Sequence, residues 1–150
     1  MSSPRPRAGF FLRSDKLLEL GSLSYLPVSG TPLTAVSIGF GARVHHIGSL
    51  VEAQLTQGPL GAELFDVNAQ LRVYLPVSSH LELFPLAAIG ASHLMLEEGS
   101  AHLDVGVGAQ FKLVDSIAIG ARYQARVFGE QNAMSSMNGH QLSAQLSFQF

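Results

Sequence analysis

Nine charged residues stand out by their spacing: Arg43, Glu52, Asp66, Arg72, Glu82, Asp104, Lys112, Arg122 and Arg126. Each lies in a stretch where apolar and polar residues alternate, so each is expected on the polar side of an extended segment. Five of the nine are cations and four are carboxylates. If the chain gathers them in one narrow space, their chemistry is mutual ion pairing, because a buried charge without a partner is costly. The same side chains could instead line a small gated pore.

Other chemistries are thinly represented. His102, Asp104, Ser135, Ser136 and His140 are the residue types of a lipid-modifying hydrolase. No nucleophile motif surrounds either serine, and Asp104 falls on the polar side of a strand, away from the loop serines. Six histidines invite a metal reading, yet no His-x-His or HExxH spacing occurs. His45 and His46 are adjacent, so on a strand they face opposite sides. His80, His93, His102 and His140 fall at strand ends and are expected as rim or interface residues. Gly106-x-Gly108 is followed by no helix and is not a phosphate loop. Gly39, Gly41, Gly90, Gly106, Gly108 and Gly120 are expected to leave room for Arg and Lys across an interior. No catalytic, cofactor or metal site is expected. A net charge of −2 offers no footprint for nucleic acid, and the absence of Cys removes disulfides and thiolate sites.

The elements that must position the charges are strands. From His102 to Phe128 the chain reads as two alternating runs joined by a short turn at Val114-Asp115-Ser116. Leu103, Val105, Val107, Ala109, Phe111 and Leu113 share one face, and Asp104, Gly106, Gly108, Gln110 and Lys112 the other. Ile117, Ile119, Ala121, Tyr123, Ala125 and Val127 then oppose Ala118, Gly120, Arg122, Gln124, Arg126 and Phe128. Further strands are expected over Leu17–Leu26, Leu33–His45, Ser49–Gln57, Glu63–Leu75, His80–Ser92 and His140–Phe150. The first of these alternates poorly. Pro85 removes a ladder donor from the fifth, which a bulge there would absorb. Met1 to about Ser14 is rich in Pro, Arg and Ser and is expected to be a loosely ordered tail, leaving 15–150 as one domain. Gly9-Phe10-Phe11-Leu12 is too short for the apolar core of a secretory signal, so the chain reads as a mature form. Leu20–Ala42 carries too many Gly and Pro residues for a transmembrane helix.

Strands of about eleven residues exceed the usual 5–6 of soluble proteins and match the 9–11 needed to cross a bilayer at a tilt. One face is almost purely apolar, and only 13% of residues are charged. That pattern fits lipid outside and a polar interior. The expected fold is all-β: an eight-stranded antiparallel up-and-down transmembrane β-barrel. An even strand count lets the first and last strands pair and abolish the edges. It also places both termini on the side of the short turns, the periplasm in an outer membrane. A soluble barrel around an apolar ligand would need the opposite polarity, with Phe148 and Phe150 buried.

The residues also resemble a known superfamily, the small eight-stranded outer-membrane proteins of the OmpA-barrel and OmpX type. G-V-G-A-Q-F-K-L-V-D-S-I-A-I-G-A-R-Y-Q-A-R is similar to a hairpin of that superfamily, and L-R-V-Y-L-P-V-S-S-H-L-E-L-F-P-L-A-A-I-G resembles another. The terminal Q-L-S-A-Q-L-S-F-Q-F looks like the signal read by the outer-membrane assembly machinery, with Phe148 and Phe150 as its aromatic positions. The resemblance covers about Leu17 to Phe150. It implies a bacterial outer-membrane location, contact with lipid, engagement of the assembly machinery, and a structural or interaction role rather than catalysis, with an envelope protein partner reached through the loops. The chain departs from the pattern in having no Trp and three Tyr, which leaves thin aromatic girdles.

Overall fold

The computed structural model describes residues 15–27, 32–57, 63–94, 99–128 and 139–150. The expected N-terminal tail, the serines Ser135 and Ser136, and most of the longer connections lie outside these residues. The described chain is almost entirely strand: β1 (Asp15–Pro27), β2 (Leu33–Val44), β3 (Ile47–Gln57), β4 (Glu63–Val73), β5 (Leu75–Pro76), β6 (Leu81–Leu94), β7 (Gly99–Val114), β8 (Ile117–Phe128) and β9 (Gly139–Gln149). β5 is a two-residue continuation of β4, so eight long strands remain, each of 11–16 residues.

Every pairing is antiparallel. Each long strand pairs with its neighbours in sequence, β4 pairs with β6, and β1 pairs with β9. The last two pairings leave no free edge, and the result is the closed eight-stranded up-and-down barrel that the alternation predicts.

The period of two sorts the side chains. Val36, Ile38, Phe40, Val51, Phe65, Leu71, Ile89, Val105 and Val107 are exposed on the outer wall. Their neighbours one position along are buried inside: Ser37, Glu52, Asp66, Arg72, Ala88 and Asp104. A one-residue slip would turn the charges outward and the apolar set inward, so this polarity fixes the register. The barrel is thus inside-out relative to a soluble one.

One end, the turn-side end, carries Asp15, Phe150 and the tight turns His45-His46, Val77–His80 and Asp115-Ser116. The other, the loop-side end, carries the connections through 28–31, 58–62, 95–98 and 129–138.

Three local expectations need correction. β2 stops at Val44, and His45 lies in the turn with φ 56° rather than pointing inward from a strand. A two-residue hairpin connection requires positive φ, and here a histidine adopts it. Second, no bulge forms at Pro85. β6 keeps an unbroken register with β7 through Pro85↔Val107. On its other side the ladder with β4 stops at Arg72↔Leu86 and resumes at Leu75↔Leu83. Tyr74 donates its backbone N–H to His46 on the β3 side, at 2.6 Å. Antiparallel residues alternate in the neighbour they address, so the amide groups of Val73 address β6, opposite Pro85. The missing N–H of proline leaves a gap in the ladder with no change of register. The register shift instead lies in β7, between Lys112 and Val114. Third, β1 alternates as cleanly as the others. Leu17, Glu19, Leu23 and Tyr25 face inward, but both of its faces mix apolar and polar residues, which hides the period in sequence.

Candidate functional site

The interior is filled by polar side chains that the inward positions of all eight long strands bring together. Arg43, Glu52, Asp66, Arg72, Glu82, Asp104, Arg122 and Arg126 are all buried there, while Lys112 reaches the turn-side mouth and stays about one-third exposed at its side chain. The bonds fall into three levels along the bore.

At the turn-side end, Arg43 grips Glu82 with two bonds of 2.8 and 2.6 Å. Gln110 adds a donor to Glu82 at 3.0 Å, and Lys112 Nζ lies 3.7 Å from it. Arg72 grips Glu19 in the same forked manner at 2.5 and 2.7 Å, with Ser147 donating to Glu19 at 2.9 Å. The planar guanidinium suits this bidentate geometry. Both arginines also lie on aromatic rings. Arg43 is 4.0 Å from the centroid of Tyr74 and Arg72 4.8 Å from that of Phe84, and the two rings are 5.5 Å apart. Tyr74, Phe84 and Leu86 make a small apolar core on this wall. Phe84 fits because Gly108 faces it across the pair Phe84↔Gly108; a Cβ on Gly108 would lie 2.5 Å from Phe84 Cε2.

At mid-height, Glu52 accepts from Gln54 at 2.7 Å, Gln70 at 3.0 Å and Arg122 at 2.5 Å. Gln70 Oε1 accepts from both Arg122 (3.2 Å) and Arg72 (3.1 Å), which joins this level to the one below. Arg122 also donates to Ser143 at 3.1 Å.

At the loop-side end, Arg126 donates to Asp104 at 2.9 and 2.8 Å and to Asp66 at 3.2 Å. His102 sits between the same two carboxylates. Its Nε2 meets Asp66 Oδ1 and its Nδ1 lies 2.9 Å from Asp104 Oδ1. Ser92 donates to Asp66 at 2.7 Å, Asn68 to Asp66 at 3.1 Å and Gln124 to Asp104 at 3.1 Å.

Two members of the network escape the sequence reading. Glu19 sits in the poorly alternating β1. With it, five carboxylates (Glu19, Glu52, Asp66, Glu82, Asp104) face five cations (Arg43, Arg72, Lys112, Arg122, Arg126), and Asp15 lies at the turn-side rim, accepting from Gln149 at 2.7 Å. A reading that finds five cations for four carboxylates has a missing acid to look for, and Glu19 on the nearest uncertain strand is the candidate. His102 is the second. It is no rim residue but is buried with Asp104, because an i, i+2 pair on a strand shares a face.

Of the hydrolase candidates, only His102, Asp104 and His140 are among the described residues, and His140 does not join the other two. His140 points outward and stacks on Tyr123, with ring centroids 5.6 Å apart, whereas His102 and Asp104 point inward. Ser92, the hydroxyl beside the inner histidine, donates to Asp66. Among the described residues no group of His, Asp and Glu is placed to hold a metal. Phe148 is half-buried on the outward face of β9, and Phe150 follows that strand, its backbone bonded to Lys16 at 2.6 and 3.0 Å.

No family model matches the chain, and no curated protein is similar to it in sequence. Solved structures are similar in fold. Neisserial surface protein A, at 15% identity, superposes with a TM-score of 0.72 over 91% of this chain and 97% of its own. The N-terminal β-barrel domain of Pseudomonas aeruginosa OprF, at 10% identity, gives 0.64 over 92% and 100%. The Yersinia pestis outer membrane protein Ail, at 12% identity and solved in a phospholipid bilayer nanodisc, gives 0.59 over 92% and 100%. The chain has the fold of the small eight-stranded outer-membrane β-barrels.

Proposed function

We propose that this chain is an integral barrel of a bacterial outer membrane, with a sealed bore and a structural or interaction role rather than a catalytic one. The observation that carries the reading is the inverted polarity. Large apolar side chains cover the outer wall while ten charged residues pair inside it. Water would penalise that wall, and lipid would not. A soluble barrel for an apolar ligand needs the reverse arrangement. Strands of 11–16 residues are long enough to cross the hydrocarbon layer at a tilt. Membrane lipid is then the partner of the whole wall. By the same reading both termini lie in the periplasm, Phe148 and Phe150 are read by the assembly machinery, and an envelope protein partner meets the loop-side end.

A non-catalytic role is supported by the mutual engagement of the charged groups, while the buried polar atoms left without a partner are Tyr25 Oη and four side-chain amide oxygens. Among the described residues, the forked guanidinium pairs and the doubly engaged His102 leave no inner side chain poised as a nucleophile beside a free base. The test is folding of the purified chain in buffer and in detergent micelles, followed by circular dichroism and gel mobility with and without boiling. A β spectrum and a heat-dependent mobility shift in detergent alone are expected. A monodisperse β-rich protein in plain buffer would overturn the membrane reading.

A further inference from the structure

The loop-side cluster offers a place for one proton more than its residue types imply. Both ring nitrogens of His102 face carboxylate oxygens, Nε2 toward Asp66 and Nδ1 toward Asp104. A neutral imidazole has a single N–H, so its other nitrogen would present a lone pair to a carboxylate. The remaining partners of the two carboxylates are donors: the Ser92 hydroxyl, the amides of Asn68 and Gln124, and the Arg126 guanidinium. A carboxylic acid proton on either aspartate therefore finds its acceptor on the ring itself. Of the three groups the imidazole is the most basic, so the proton rests on the ring as an imidazolium donating to both carboxylates.

Among the described residues the surroundings supply no alternative charge. Asp66 comes from β4, Asp104 from β7 and Arg126 from β8. From β1 comes Tyr25, its ring centroid 6.0 Å from the Arg126 guanidinium. β2, β3, β6 and β9 offer Ser37, Gln54, Thr56, Ser92 and Gln141 at this level, all neutral. With a neutral ring, two fully buried carboxylates would share one guanidinium. With the extra proton the cluster sums to zero.

We propose that the Asp66–His102–Asp104 cluster is a proton-binding site that fastens β4 to β7 and so holds the loop-side end of the barrel closed. The bound proton works as a structural ligand. β4, β7 and β8 flank the connections through 58–62, 95–98 and 129–138, so its loss unfastens the frame of three loop-side segments. A proton held by the folded state and absent from the opened one makes protection at this end fall as pH rises. Asp15, Arg43, Arg72 and Glu82, at the far end of the bore, are not part of that step.

The test uses the full chain folded in detergent micelles with 15N-labelled histidine. The His102 ring is identified by its edge-on contact with Phe128, whose centroid is 5.6 Å away. At about pH 8, where free histidine is neutral, both His102 nitrogens are expected in the N–H range, each coupled to its own proton. One nitrogen with the shift of a bare lone pair overturns the proposal. A second measurement follows amide exchange, corrected for its intrinsic pH dependence. In the wild type, protection around Asp66 and Asp104 is expected to fall about tenfold or more at high pH while that around Arg72 and Glu82 holds. His102→Gln should lack this step. A pH course shared by both proteins also overturns the proposal.

Discussion

Arg72 is fully buried, and its forked pair with Glu19 is the most enclosed ion pair at the turn-side end. Replacing Arg72 with Met leaves the Glu19 carboxylate with Ser147 and a long contact from Gln145 at 3.4 Å, and no hydrogen-bonded cation. Losing one partner of a buried pair costs about 3–5 kcal/mol, while replacing both with apolar groups of similar volume is often close to neutral. Arg72→Met alone is therefore expected to lower the urea midpoint sharply in vesicle-refolded protein, and Glu19→Leu with Arg72→Met to recover most of the loss. Equal losses in the single and double variants would mean that the pair is not the unit of stability. Gly108 is a second residue-scale case. Phe84 is wholly buried against it, and a backbone without a side chain is what lets that ring lie flat on β7. Gly108→Val is expected to cost about 1–3 kcal/mol through overpacking, read in the same unfolding experiment. Phe84→Ala in the same chain should give part of that back, since the ring is what the new methyls strike.

At the scale of the element, the strands carry two local strains with opposite remedies. Val73 addresses β6 opposite Pro85, so one ladder bond is missing from a wall whose outer face is apolar. If that wall faces lipid as proposed, water cannot satisfy the orphaned group there. Pro85→Val restores the donor without altering the outward apolar face, and is expected to stabilise the barrel by about 1 kcal/mol. A midpoint that falls instead would show that the gap is needed to seat Tyr74 against the His46 carbonyl. His45 holds φ 56° in the β2–β3 turn, a conformation that L-residues adopt at a cost of about 1–2 kcal/mol and glycine adopts freely. His45→Gly should therefore stabilise the hairpin while leaving the bond from Arg43 Nε to the His45 carbonyl, 2.8 Å long, in place. Unchanged thermal stability would imply that the turn relaxes to another type when the side chain is lost.

The whole molecule was legible in sequence because a barrel wall exposes the same period of two in every strand. Strand number, closure and the inward face of β2 to β9 follow from counting alternating runs. What stayed hidden has a physical cause in each case. Glu19 lies on the one strand where Leu17 and Leu23 face inward beside it, so hydrophobicity does not separate the faces. His102 reads as a terminal residue until β7 is seen to extend to Gly99, and the partners of each charge depend on which strands meet across the bore, a property of the closed shape rather than of any strand. That shape leads to the last prediction. Eight strands enclose a space just wide enough for side chains to fill, and here Arg72, Phe84, Asp66, Gln124 and Asp104 fill it with almost no exposure. Purified barrel in planar bilayers is therefore expected to be silent across salt concentrations. Arg72→Ala with Phe84→Ala removes the guanidinium and the ring that stack at the turn-side constriction, 4.8 Å apart. If the bore is a plug, that double variant stays silent as well, because the Glu52–Arg122 and Asp66–His102–Asp104–Arg126 levels still block it. If it conducts, a single constriction rather than the three-level network seals the molecule. Steps in the wild type would return the pore reading and make Lys112, the one network cation that reaches the mouth among the described residues, the first place to look for its ion selectivity.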